Sequence, residues 1–126
     1  MLSKFLVTGA SDRKEVMMDF EEYQKKSRKT AIYPDLGKNF VYPTLGLVGE
    51  AGEVAEKIKK VIRDKNGIAD KETKTEIAKE LGDILWYVSQ VATVLRLSFQ
   101  EIAESNIEKL YSRMDREKLH GNGDNR

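Results

Sequence analysis

The chain has 126 residues, 40% hydrophobic and 34% charged, with 22 Lys and Arg against 21 Asp and Glu, so one domain with a modest core is expected over residues 1–126. The near-zero net charge argues against a broad basic face for nucleic acid or for an anionic membrane surface. Cysteine is absent and His120 is the sole histidine, which excludes disulfides, thiolate chemistry and multi-imidazole sites; any metal must rest on oxygen donors, favouring Mg²⁺ with Mn²⁺ as a substitute.

Residues 1–10, within MLSKFLVTGASDRK, read as an N-terminal extension far too polar for a secretory segment, and no later window spans a membrane. A cytoplasmic protein fits these features. A first helix is expected from about Ser11 or Asp12, an N-cap followed by Glu15, to about Thr30, with Val16, Phe20 and Tyr23 on one side. Both prolines, Pro34 and Pro43, fall in TAIYPDLGKNFVYPT, which reads as the one long loop. Thr44 is the expected cap of a second helix running to about Asp64, and Asn66-Gly67 marks the turn that stops it. A third helix is expected from about Lys71 to Leu97. A fourth follows, capped by Ser98 with Glu101 three residues on, to about Glu117. Residues 118–126, with two glycines, read as a tail. No period-two alternation occurs, so the fold class is all-α: an antiparallel helical bundle.

One short pattern occurs twice. Glu50-Ala51-Gly52-Glu53 lies in the second helix and Glu80-Leu81-Gly82-Asp83 in the third, each placing two carboxylates three residues apart on one helical face. At about 100° per residue, the apolar set Leu47, Val54, Ile58, Val61 and Ile62 centres roughly 60–80° from Glu50. Ile77, Ile84, Val88 and Leu95 bear nearly the same relation to Glu80. In an antiparallel pair with facing stripes like flanks meet, so the pairs are expected to converge about eleven residues from the turn. Four clustered carboxylates repel unless a cation offsets them, and hard oxygen ligands suit Mg²⁺, which commonly bridges to phosphates. The bland alternative is a solvated flank with pairs such as Glu53 with Lys57.

The glycines also call for a reason, since each costs about 1 kcal/mol in a helix interior. Gly46, Gly49 and Gly52 form a small-residue ridge on the back of the second helix, which suits close approach of another helix. Ala78, Trp86, Ser89 and Thr93 lie on the back of the third helix, making it semi-apolar all round and so buried on two sides. A homo-oligomer, at least a dimer, is the expected source of the extra cover.

On the fourth helix Asn106, Lys109 and Arg113 fall within about 60° of one another and could grip phosphate oxygens. Spacing alone favours a solvated face for them. Tyr33, Tyr42, Trp86 and Tyr87 could offer a nucleobase a stacking surface. Tyr87, one turn beyond Asp83, is the best placed, although most bundle aromatics are core.

The stretches LGLVGEAGEVAEKIKKVIRD, KELGDILWYVSQVA and NIEKLYSR together resemble the MazG-like all-α nucleotide pyrophosphohydrolases over about residues 20 to 126. That family's hallmark is EExxE followed by ExxD. Glu50 and Glu53 match the second and third glutamates of the first segment, and Glu80 and Asp83 match ExxD, whereas Gly49 stands where the first glutamate would be. Asn106 and Lys109 resemble a downstream N-x-x-K, which strengthens a phosphate-binding role. The resemblance implies a dimer or tetramer and Mg²⁺-dependent conversion of a (d)NTP to the monophosphate and pyrophosphate, in nucleotide-pool housecleaning, with Glu50, Glu53, Glu80 and Asp83 as catalytic metal ligands. A phosphoribosyl-ATP pyrophosphatase-type activity is the alternative within the fold, and a non-catalytic dimerisation or partner-binding module the alternative outside it.

Overall fold

The computed structural model describes residues 17–116. Among the described residues there are four helices and no strand: α1 (Phe20–Arg28), α2 (Val41–Asp64), α3 (Lys71–Val94) and α4 (Phe99–Asp115). The expected N-cap at Ser11 or Asp12, Val16, the N-terminal extension, His120 and the tail lie outside them.

Each helix end has a local cause. α1 begins at Phe20 because Met17–Asp19 is not helical and the Asp19 carboxylate accepts the backbone N–H of Glu22 at 2.8 Å. It also stops at Arg28 rather than Thr30: the Thr30 hydroxyl donates to the Ser27 carbonyl at 2.7 Å, and the backbone tightens into a turn. α2 starts earlier than a Thr44 cap would allow. Asn39 Oδ1 accepts the Val41 N–H, Pro43 sits in the first turn where its missing donor costs nothing, and the Thr44 hydroxyl donates back to the Phe40 carbonyl. α3 is capped by Asp70, which accepts from the Thr73 N–H, and it ends at Val94, three residues short of expectation. Arg96 is left-handed there (φ 59°), and the Leu97 N–H closes onto the Ala92 carbonyl at 2.8 Å. Ser98 caps α4 through the Glu101 N–H, as its sequence indicates.

Asn66 (φ 53°) and Gly67 (φ 76°) turn the chain between α2 and α3, and the two long helices return antiparallel as the main pair. α1 lies across α3 and also meets α4. This explains the semi-apolar back of α3. Trp86 Nε1 donates to Thr30 Oγ1 at 2.8 Å, Ser89 and Ser27 share a buried hydroxyl contact of 2.8 Å, and Gln24 Nε2 donates to Thr93 Oγ1 at 3.1 Å. The second cover of α3 is therefore α1 of the same chain. Gln24 also accepts from the Phe99 N–H and donates to the Leu97 carbonyl, pinning the α3–α4 turn, while Phe20 stacks on Phe99 with centroids 4.5 Å apart.

Among the described residues, α2 packs mainly on α3. Beyond its contact with α3 it presents Leu45, Val48 and Ile62 to solvent at 67, 66 and 68% exposure, whereas Val61 is buried.

Candidate functional site

The α2–α3 seam carries both acidic motifs. Glu50, Glu80 and Asp83 each place a carboxylate oxygen so that the three lie within 4.8 Å of one another. Glu53 is outside this group and exposed. Three residues advance a helix by about 300°, so Glu53 sits about 60° farther around α2 than Glu50 and away from the seam. Its charge still reaches Glu50. The Glu50 carboxyl is pushed above its ordinary range by partial burial, by a hydrogen bond shared with Glu80, and by the charges of Asp83, Glu80 and Glu53. A set of oxygens under mutual repulsion, with no nitrogen or sulfur donor, suits a hard divalent cation.

Aromatic rings extend from this group. Tyr33 and Tyr42 stack at 5.0 Å with planes 5° apart, Trp86 meets Tyr33 edge-on at 6.3 Å, and Tyr87 meets Trp86 edge-on at 5.0 Å. All four aromatics named from the sequence thus share one cluster. The Tyr87 hydroxyl is held above its ordinary pKa by burial, then by Tyr42 and the charges of Glu50 and Asp83, which places it beside the carboxylates. Arg28 Nη1 donates to the Tyr33 hydroxyl at 3.3 Å and to Gln90 Oε1 at 3.1 Å, tying the cluster to the fully buried Gln90.

Gly46 has its explanation here. A Cβ at that position would run into the Tyr87 ring, so the glycine lets α2 approach α3 rather than standing on the back of α2. Gly49, Gly52 and Gly82 face open space. The missing first glutamate at Gly49 is therefore not forced by crowding.

The α4 residues lie elsewhere. Asn106 and Lys109 line a groove of about 420 Å³ with Leu97, Ser98, Glu101, Ile102 and Ser105, and no carboxylate of the α2–α3 group is in its walls. Arg113, 3% exposed, is buried. Two site neighbours escaped the sequence reading. Tyr23 on α1 feels the charge of Asp83, a proximity that its place on the apolar side of α1 only hinted at. Lys57 pairs across the seam with Glu80 at 3.4 Å and with Glu76 at 3.9 Å, not along its own helix with Glu53.

The model of the MazG nucleotide pyrophosphohydrolase domain matches residues 43–116, more than half of the chain, with both acidic motifs inside the match. The chain belongs to the MazG family. A relative of the chain is the Gene 37 protein of Mycobacterium phage L5, 44% identical over 114 residues that cover 86% of this chain and all of the relative. That relative's name records no activity. No solved structure matches the chain. Membership places the protein in a class of nucleotide pyrophosphohydrolases, and no helix among the described residues is long and apolar enough to cross a membrane.

Proposed function

We propose that this MazG protein is a Mg²⁺-dependent nucleoside triphosphate pyrophosphohydrolase, yielding a nucleoside monophosphate and pyrophosphate. The observation that carries this reading is the convergence of Glu50, Glu80 and Asp83 from two helices inside a MazG domain. Those three carboxylates would hold the cation, with Glu53 as a fourth ligand once the side chain turns toward the seam. Bound Mg²⁺ would offset negative charge on the phosphate oxygens and on the departing pyrophosphate. Tyr87 borders the carboxylates and is suited to hold the sugar or base edge of the substrate. Asn106, Lys109 and Arg113 on α4 are the phosphate-binding residues of this proposal, Asn106 and Lys109 acting from their groove.

Assembly into a dimer or tetramer is part of the proposal. The exposed apolar face of α2, carrying Leu45, Val48 and Ile62, is the surface that supports it.

A panel of ordinary and modified nucleoside triphosphates incubated with Mg²⁺ tests the activity. Monophosphate and pyrophosphate should form in equal amounts. Asp83→Asn and Glu80→Gln should abolish both while the helical circular dichroism is retained. Orthophosphate release without monophosphate, or full activity in the carboxylate variants, would overturn the proposal.

A further inference from the structure

Lys57 has no part in the proposed function, yet its ammonium lies 3.4 Å from a carboxylate oxygen of Glu80. Typical surface pairs of this chain, such as Lys25 with Glu21 and Lys59 with Glu56, join neighbours on one helix and sit mostly in water. Lys57 instead crosses from α2 to α3, with its side chain 25% exposed and that of Glu80 only 19%. Its ammonium is shared between Glu80, a member of the carboxylate group, and Glu76 one turn earlier on α3.

Coulomb's law assigns this arrangement two opposing consequences. An ammonium on Glu80 relieves repulsion among the carboxylates while no cation is bound. A divalent cation held by the same carboxylates would meet that ammonium as a like charge. The conflict disappears when a polyphosphate arrives with the cation, because its oxygens offer the lysine a new partner. Lysine suits such an exchange: its charge is compact, its stem flexible and its donors free to rotate, whereas arginine favours a fixed fork.

We propose that Lys57 is an exchangeable counter-charge: it neutralises Glu80 in the metal-free protein and transfers to a phosphate oxygen of the substrate when metal and polyphosphate bind together. This rests on the carboxylates binding a divalent cation as set out above. It assigns Lys57 a phosphate-binding role and makes binding of metal alone weaker than binding of the metal–polyphosphate complex.

The test is calorimetric titration of wild type, Lys57→Met and Lys57→Arg with Mg²⁺ or Mn²⁺ alone and with Mg²⁺–tripolyphosphate, at low ionic strength. Removing the charge should tighten binding of the metal alone about 3- to 10-fold and weaken binding of Mg²⁺–tripolyphosphate by a similar factor. Lys57→Arg, which keeps the charge, should lie close to wild type for metal alone. Thermal melts should show Lys57→Met folded, and less stable than wild type chiefly at low salt. If Met at this position impairs folding, Lys57→Gln is read in the same way. Shifts of the same sign in both titrations, or no shift, would overturn the inference while leaving metal binding intact. Failure of wild type to bind either titrant is a different result, and it would remove the proposed function along with this inference.

Discussion

The approach of α2 to α3 at Gly46 fixes where Tyr87 stands beside the carboxylates, and Gly46→Ala probes it. An added Cβ would lie 2.7 Å from Tyr87 Cδ1 and overlap the neighbouring ring carbons, against an optimum of about 3.5–4.0 Å between carbons. The ring cannot retreat freely, because Trp86 meets it edge-on with centroids 5.0 Å apart. Forcing an extra carbon into such a contact costs about 1–3 kcal/mol, whereas replacing a helical glycine by alanine returns about 1 kcal/mol. The net expectation is a loss of about 0–2 kcal/mol in urea denaturation. In a Tyr87→Ala background the obstacle is gone, so the same substitution should stabilise by about 1 kcal/mol, a change of sign that a double-mutant cycle reads directly. Gly82→Ala and Gly52→Ala, where a Cβ meets nothing within 4 Å, should each stabilise by about 0.5–1 kcal/mol. Equal stabilisation by Gly46→Ala and Gly82→Ala in the wild-type background would refute the close approach.

Glu50→Gln should raise the melting temperature of the metal-free protein near neutral pH. The Glu50 carboxyl is held above its ordinary range, so the native state loses stability as pH rises through that window; the gain from glutamine should vanish below the ordinary glutamate range, and a pH-independent difference would contradict the reasoning. Asp70 shows the opposite sign. Hydrogen bonds from Thr73 and then the charge of Lys65 hold its carboxyl far below the usual range, so its contribution is present above the unfolded aspartate pKa and lost only in strong acid. Asp70→Ala should therefore lower the melting temperature at neutral pH, and the difference from wild type should narrow only at strongly acid pH. Gln24→Ala removes the side chain that bonds Thr93, Leu97 and Phe99, and should cost about 1–3 kcal/mol with faster amide exchange at the α3–α4 turn.

The elements most legible in the sequence were those set by local chemistry. Ser98 caps α4 and Asn66-Gly67 reverses the chain because those side chains and backbone preferences act within a few residues. Helix starts differ from the sequence pattern where a nearer cap acts: Asp19 caps the helix that begins at Phe20, and Asn39 with Pro43 replaces Thr44 at the start of α2. α3 ends early because Arg96 takes the left-handed conformation, and nothing about an arginine announces that.

The doubled acidic motif, the helical phase of its carboxylates and the all-oxygen donor set are properties of the sequence, because periodicity and composition need no knowledge of neighbours. Only the tertiary structure decided that Glu50, and not Glu53, shares the seam with Glu80 and Asp83, since a 60° difference around one helix matters only once the partner's position is fixed. It also gave the back of α3 to α1 and, among the described residues, left Leu45, Val48 and Ile62 of α2 exposed, two surfaces that sequence pattern alone could not tell apart. Lys57 shows the same division. Its spacing allowed a pair with Glu53 on its own helix, and the contact with Glu80 exists because α3 passes closer.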